Sequence, residues 1–274
     1  MSGGRKTHWL MSDQGAGDVL VMVHGLGTDG SAWDSLVPRL ARAFRVIVVQ
    51  VPGYSIQAGF GAPFMPPWRL AFELDVFLRS IAVERYALVC HSRGGAVGIW
   101  CSVQSPERVS ALVLINPWGV GRTDRSDRRL RDLSSVLLRP LDAMSLSAEV
   151  LKSWKPTSVE VKERLKPSSR RVNLSLIRPE SAAIALRGWL GAFVETRRSS
   201  SSERAQVPIG TPTLVIWGLR DPFLGSHNAR EAAGQSTASS IAVVPRGGHS
   251  PHRSQPAEVA DRIIDFLSKR PIDQ

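Results

Sequence analysis

The sequence contains few cysteines and no long hydrophobic stretch. Its two cysteines, Cys90 and Cys101, are too few for a zinc cluster or a disulfide framework. No apolar run is longer than five residues, far below the ~20 that a membrane-spanning helix needs. The amino-terminal residues also lack the apolar segment of a secretory signal. We therefore expect a cytoplasmic protein that does not act in a membrane.

Acidic residues are in the minority, because 24 Asp and Glu face 35 Lys and Arg and leave a net charge of +11 at pH 7. Most of this excess falls in residues 119–207, which carry 18 basic and 10 acidic side chains. A basic surface favours nucleic acid, a membrane or an anionic substrate as partner. Aromatic residues make up only 7% of the chain and no nucleic-acid reader motif is recognisable, so we expect no nucleic-acid partner. We expect no membrane partner either. The alternative to an anionic substrate is an ordinary solvent-exposed helical surface.

The chain does contain enough apolar sequence for a large core, since 43% of its 274 residues are hydrophobic. Short runs that are apolar on both faces alternate with helical patterns, which is typical of a parallel sheet covered by helices. The predicted strands are 19–23, 45–51, 86–90, 109–115, 213–217 and 240–244. Helices are predicted from Trp33 to Phe44 with Ser31 and Asp34 as a capping pair, from Leu70 to Ile81, around Ala96, Trp100 and Val103, and from Pro256.

The character of the sequence changes between Gly119 and Val207. This stretch shows no strand pattern, and helical segments are separated by prolines. The sequence therefore predicts an α/β fold with a mostly parallel central sheet and helices on both faces. Its core comprises residues 1–118 and 208–274, and residues 119–207 form an inserted helical cap.

A candidate nucleophile lies between a predicted strand and a predicted helix, in the sequence Cys90-His91-Ser92-Arg93-Gly94-Gly95. The pattern small-x-Ser-x-Gly is typical of a nucleophile elbow, a turn so tight that the residues two before and two after the serine must be small. Such a turn exposes the hydroxyl of Ser92 above the sheet edge. It also directs the backbone N–H of Arg93 toward a developing oxyanion.

Three further loops follow predicted strands. The turn His24-Gly25-Leu26-Gly27 can bring a second oxyanion donor, the N–H of Leu26, to the same place. Asp221 lies in the loop after strand 213–217 and can orient an imidazole. His249 follows strand 240–244 as the candidate general base, whereas we expect His252 to be an ordinary solvent-exposed residue.

The order nucleophile, acid, base, each after its own strand, is the chain order of α/β-hydrolases. The chain resembles this superfamily, in its capped esterase and thioesterase form, over nearly its whole length. The resemblance implies a catalytic triad of Ser92, Asp221 and His249, an oxyanion hole from Leu26 and Arg93, and no metal or organic cofactor. The segments that carry it are VLVMVHGLG, LVCHSRGG, LVLINP, LVIWGLRDP and GGHSPHRSQPAEVADRIIDFL.

Two positions depart from the pattern. Cys90 replaces the more frequent glycine, and we interpret it as a tolerated small residue rather than a second nucleophile. Asn116 ends strand 109–115 where some relatives place their acid; because a carboxylate is needed, Asp221 keeps that role. The nucleophile is serine and not aspartate, which disfavours epoxide opening and halide displacement.

The expected function is hydrolysis of a carboxylic ester or thioester of small to medium size, anionic or carrier-bound, through an acyl-enzyme on Ser92. The same groups would also serve a C–C bond hydrolase, and a ligand-binding protein without catalysis is the remaining alternative. Gly25, Trp118 and Phe223 are candidates for the substrate pocket. The side chain of Arg93 either binds a substrate carboxylate or folds onto residues 119–207.

Overall fold

The computed structural model describes residues 10–54, 65–118, 210–224 and 239–270. Within these ranges seven strands form one sheet in the order β1-β3-β2-β4-β5-β6-β7, in which β1 is antiparallel to β3 and the other neighbours are parallel. The predicted mostly parallel sheet is confirmed. The strands are β1 (Leu10–Gln14), β2 (Val19–Val23), β3 (Arg45–Gln50), β4 (Tyr86–His91), β5 (Val109–Ile115), β6 (Thr213–Gly218) and β7 (Ser239–Val244).

Helices cover both faces of the sheet. Buried side chains of α2 and α3 form one apolar layer with the strands, and those of α1 and α5 form a second layer on the opposite face. This places the carboxyl ends of the parallel strands at one open edge, where α/β folds build their sites. The described helices are α1 (Val37–Leu40), α2 (Pro67–Ser80), α3 (Arg93–Gln104), α4 (Pro251–Ser254) and α5 (Pro256–Ser268).

The first predicted helix, from Trp33 to Phe44, is wrong in extent. The chain instead forms a 3₁₀ turn at Gly30–Trp33 and the short helix α1. Proline is tolerated only in the first turn of a helix, so Pro38 prevents a continuous helix across this region. Ser31 is not the cap either, because the side chain of Asp29 accepts the backbone N–H of Ser31 at 2.9 Å.

Helix α3 packs on the sheet mainly through residues other than the apolar positions that predicted it. Val103 is 43% exposed, whereas Val97, Gly98 and Cys101 are buried against the strands. Small residues on this face allow the helix axis to approach the sheet closely. Of the apolar positions that predicted this helix, Trp100 is half-buried and packs against the core, whereas Val103 lies on the outer side.

Every described residue belongs to one of the two compact units into which the chain divides, the unit formed by Met1–Thr123 with Ala185–Gln274. The predicted cap, residues 119–207, lies outside the described residues and stays a prediction. No helix within the described ranges combines the length and the apolar character needed to cross a bilayer.

Candidate active site

Ser92 occupies a sharp turn between the end of β4 and the start of α3. Its backbone has φ +50° and ψ −121°, a conformation that costs a non-glycine residue of order 1–3 kcal/mol and is concentrated at functional sites. Gly94 makes the turn sterically feasible, because a Cβ atom there would lie 2.6 Å from the carbonyl oxygens of both Val23 and His24. The elbow therefore packs directly against the end of β2.

Cys90 stands where the pattern usually has glycine, and its side chain fits because the facing residue of α3, Gly98, has no side chain. Its side chain is fully buried and faces Gly98 of α3, where an added Cβ would lie 2.5 Å from the Cys90 Sγ. Burial raises the pKa of the Cys90 thiol well above its usual value. The thiol is therefore neutral and enclosed, in agreement with its interpretation as a tolerated small residue.

The structure brings Ser92, His249 and Asp221 into one hydrogen-bonded chain. The Nε2 atom of His249 lies 3.0 Å from the Ser92 Oγ, and its Nδ1 lies 2.8 Å from the Asp221 Oδ2. Because an ionised carboxylate only accepts hydrogen bonds, Nδ1 must carry the proton. The Nε2 lone pair is then free to accept the proton of the serine hydroxyl.

The carboxylate of Asp221 is buried and fully engaged, with a side chain that is 1% exposed. Its Oδ1 accepts the backbone N–H groups of Phe223 at 2.8 Å and of Leu224 at 3.0 Å. Burial opposes its ionisation, but the hydrogen bond and charge of His249 together with these N–H groups outweigh burial and lower the pKa of Asp221. The carboxylate therefore remains charged beside the imidazole.

Asn116 supports this carboxylate from the neighbouring strand. Its Nδ2 donates to the Asp221 Oδ2 at 2.5 Å, and its Oδ1 accepts the backbone N–H of Gly218 at 3.0 Å. Asn116 has φ +43°, a left-handed conformation that asparagine tolerates better than most residues. From its sequence position, Asn116 was expected only to stand where some relatives place their acid. Its place at the end of β5 is the signal that indicates a supporting role.

The turn after β2 lies against the nucleophile. A Cβ atom on Gly25 would be 3.0 Å from the Ser92 Cβ, which places Leu26 one residue beyond this contact. His24 fixes the turn, since its Nε2 accepts the Val51 N–H at 2.9 Å and its Nδ1 lies 2.9 Å from the Gly25 carbonyl oxygen. The assignment of the Leu26 and Arg93 N–H groups to an oxyanion hole stays a prediction.

The side chain of Arg93 is buried among aromatic rings. Its Nε donates to the Tyr54 hydroxyl at 3.1 Å, and its guanidinium carbon lies 5.2 Å from the Trp118 ring centroid. The backbone carbonyl of Tyr54 in turn accepts the Gly27 N–H at 2.8 Å. Tyr54, which sequence reasoning missed, thus connects the elbow to the glycine-rich turn.

The two aromatic pocket candidates both adjoin the triad. Phe223 is 50% exposed, and the edge of its ring meets His249 at a centroid distance of 5.3 Å. Trp118 is half-buried, and its backbone N–H donates to the Ser92 carbonyl oxygen at 2.9 Å. Their contact with substrate stays a prediction.

The expectation of a solvent-exposed His252 is wrong. Its side chain is fully buried, and the centroid of its ring lies 4.6 Å from the ring centroid of Trp33 and 4.5 Å from that of His91. Helix α4 begins at Pro251 directly after the His249 loop and turns the chain back into the core. The sequence of one short loop does not reveal such a reversal.

This arrangement supports one kind of chemistry. A hydroxyl, an imidazole and a buried carboxylate in series can remove a proton from the hydroxyl as it attacks an electrophilic carbon. The strained elbow holds the hydroxyl at the start of a helix, where backbone N–H groups favour negative charge.

Comparisons with known proteins find similarity over nearly the whole chain. The model of a family described as "Alpha/beta hydrolase family" matches residues 20–262. A pimeloyl-[acyl-carrier protein] methyl ester esterase of Pectobacterium carotovorum is 26% identical over 92% of this chain and 96% of its own length. A 2-hydroxy-6-oxo-6-(2'-aminophenyl)hexa-2,4-dienoic acid hydrolase of Metapseudomonas resinovorans is 25% identical over 98% of this chain and 90% of its own.

Solved structures show the same fold. A thermophilic esterase from Thermogutta terrifontis superposes with a TM-score of 0.63 at 21% identity, covering 95% of this chain and 93% of that one. At this level of identity the similarity concerns the architecture.

Proposed function

The chain belongs to the alpha/beta hydrolase family, and we propose that within it the protein is a serine hydrolase of carboxylic esters or thioesters. The observation that carries the proposal is the chain of contacts from the Ser92 Oγ through both nitrogens of His249 to the Asp221 carboxylate. The esterase relative of Pectobacterium, similar over 92% of the chain, supports an acyl substrate.

In the proposed reaction, His249 removes the proton of Ser92 as the hydroxyl oxygen attacks the acyl carbonyl carbon. The charge that develops on the imidazole is stabilised by Asp221, which accepts the Nδ1–H. His249 then gives its proton to the leaving alkoxide or thiolate, and an acyl-enzyme ester remains on Ser92. Water, activated by the same imidazole, attacks this ester and releases the carboxylic acid.

The negative charge on the carbonyl oxygen needs donors during both steps. We assign them to the backbone N–H groups of Leu26 and Arg93, which belong to the two segments packed against Ser92. A donor of this kind is worth about 3–4 kcal/mol of transition-state stabilisation. Because both donors are main-chain groups, their placement depends on the turn and the elbow rather than on side-chain identity.

The size and charge of the substrate are the finer part of the proposal. We expect a small or medium acyl group, in an anionic or carrier-bound form, since 18 of the 35 basic residues lie in residues 119–207. The expected site of action is the cytoplasm. The charge argument is tested by measuring the hydrolysis of acyl-carrier esters and of neutral esters at low and high salt. Equal salt dependence of the two rates would refute electrostatic steering of the substrate.

A C–C bond hydrolase is the second candidate. It is favoured by one observation, the 25% identity with the dienoic acid hydrolase across 98% of this chain. The two candidates share Ser92, His249 and Asp221, so they differ only in the bond that is cleaved. Product analysis with a ring-cleavage substrate or a β-diketone shows whether a C–C bond is cleaved, and so distinguishes the second candidate from an ester hydrolase.

The test of the proposal is an activity screen across p-nitrophenyl esters of increasing chain length, thioesters and lactones. Ser92→Ala should reduce kcat at least about 10³-fold, and a fluorophosphonate should label the parent but not this variant. Ser80→Ala, at the exposed end of α2, is the matched control and should keep full activity. Full hydrolysis by Ser92→Ala would refute the proposal.

A further inference from the structure

The imidazole of His91 contacts the candidate base, and the proposed reaction gives it no role. His91 is the last residue of β4 and immediately precedes Ser92. Its side chain is buried, and its Nε2 lies 2.8 Å from the backbone carbonyl oxygen of His249. Because a carbonyl oxygen only accepts hydrogen bonds, Nε2 must be the nitrogen that carries the proton.

The ring of His91 is fixed in this orientation from several sides. Its Nδ1 faces the glycine-rich turn, where a Cβ atom on Gly25 would lie 3.1 Å away. The rings of His252 and His249 lie at centroid distances of 4.5 and 5.0 Å. Burial and the neighbouring imidazole of His249 lower the pKa of His91 to about 3. At neutral pH the ring is therefore an uncharged hydrogen-bond donor.

The bond from His91 adds a backbone contact between two parts of the site, beside the side-chain contact of His249 with Ser92. The N–H groups of Leu219 and Arg220, just after β6, donate to the carbonyl oxygens of Val244 and Gly247 at 3.1 and 2.9 Å. These bonds hold the loop of the base to the strand that carries the acid. The His91 bond instead holds the backbone of His249 to the strand that carries Ser92.

We infer that His91 is a positioning residue, whose Nε2–H bond to the His249 carbonyl sets the distance at which the base meets the Ser92 hydroxyl. The inference rests on the proposed function, since it assigns His91 to the same site. His91 acts through the backbone of His249 and does not touch the reacting atoms. Its loss should therefore lower kcat and leave KM nearly unchanged.

The decisive experiment compares His91→Leu with His91→Gln on a p-nitrophenyl ester that the parent protein cleaves. Leucine fills a similar space without a donor, whereas the terminal amide of glutamine reaches about as far as Nε2. We expect His91→Leu to lower kcat about 10- to 100-fold, which corresponds to a rise of about 1.4–2.7 kcal/mol in the barrier. KM should stay within about twofold of the parent. His91→Gln should stay within about threefold of the parent.

A third variant, His91→Asn, keeps an amide but places it short of the His249 carbonyl. If His91→Leu melts below the assay temperature, the comparison of Gln with Asn decides, and Asn should be at least about fivefold slower in kcat. Equal kcat values for Gln and Asn, or an unimpaired Leu variant, would overturn the inference. Assays of Ser92→Ala in parallel separate the two proposals: an inactive Ser92→Ala with a fully active His91→Leu refutes only the positioning role, whereas an active Ser92→Ala refutes both.

Discussion

Replacing Asn116 with aspartate would change the atom that faces Asp221 from a donor to an acceptor, with almost no change in shape. The carboxyl group could still accept the Gly218 N–H, as the Asn116 Oδ1 does now at 3.0 Å. The left-handed φ of +43° is also open to aspartate. The substitution therefore isolates the bond from the Asn116 amide to the Asp221 carboxylate.

The magnitude of the effect depends on pH, because the new carboxyl group can escape repulsion by binding a proton. With an unfolded-state pKa of about 3.9, proton uptake costs about 1.5 kcal/mol at pH 5 and about 5.6 kcal/mol at pH 8. If the pair stays ionised, the lost charge-assisted bond costs about 1.5–3 kcal/mol, and repulsion at about 4 Å adds about 4 kcal/mol. The cheaper route applies at each pH, so the expected destabilisation of Asn116→Asp is about 1.5 kcal/mol at pH 5 and about 5.5 kcal/mol at pH 8.

Thermal melting followed by fluorescence of the eight tryptophans measures this difference. At about 2–4 °C per kcal/mol, the variant should melt roughly 3–6 °C below the parent at pH 5 and roughly 10–20 °C below it at pH 8. Asn116→Gly is the control, since it keeps the backbone conformation and adds no charge, so its deficit should be the same at both pH values. A deficit of Asn116→Asp that is equal at the two pH values, or smaller at pH 8, would refute the reasoning.

Three further predictions concern Asp221 and Gly98. Asp221→Asn should lower kcat about 10⁴-fold in steady-state assays, because the imidazole loses its acceptor and correct tautomer; a loss below tenfold would contradict this. The folded-state pKa of Asp221 is lowered, so the stability that its ionised form contributes is lost as the pH falls through that pKa. The difference in melting temperature between the parent and Asp221→Asn should therefore become smaller as the pH is lowered. Gly98→Ala should lower the melting temperature, because its Cβ would lie 2.5 Å from the Cys90 Sγ and 3.1 Å from the Leu112 Cδ1. Overpacking costs about 1–3 kcal/mol, and alanine gains only ~1 kcal/mol in helix propensity over glycine. Removing the Cys90 Sγ by adding Cys90→Ala should therefore restore the melting temperature. An unchanged melting temperature of Gly98→Ala alone would argue against close packing.

The parallel strands could be predicted from sequence because their signal is local. β2 and β5 have the bounds that their apolar runs predicted, since strands buried on both faces contain uninterrupted apolar residues. β1, with the polar sequence LMSDQ, carries no such signal. It forms by pairing with β3 and by the ion pair between Asp13 and Arg45, which are distant in sequence.

In the candidate site, too, features with a local sequence signal could be predicted, and features that depend on distant contacts could not. The elbow at Ser92 could be predicted because its steric requirement involves neighbouring residues, and the loops of Asp221 and His249 could be predicted from their places after strands. The support of Asp221 by Asn116 and the burial of His252 could not, because both arise from contacts between segments far apart in the chain.

The close packing at Gly25 and Gly94 has a consequence for engineering this protein. Around Ser92, Gly94 packs against the carbonyl oxygens of Val23 and His24, and Gly25 packs against Ser92 itself, so neither position has room for a side chain. Phe223 and Trp118 are exposed or half-buried beside it and make their tightest contacts to the triad through backbone N–H groups. A library that tests which substrates the site accepts can therefore vary Phe223 and Trp118 while the two glycines stay fixed.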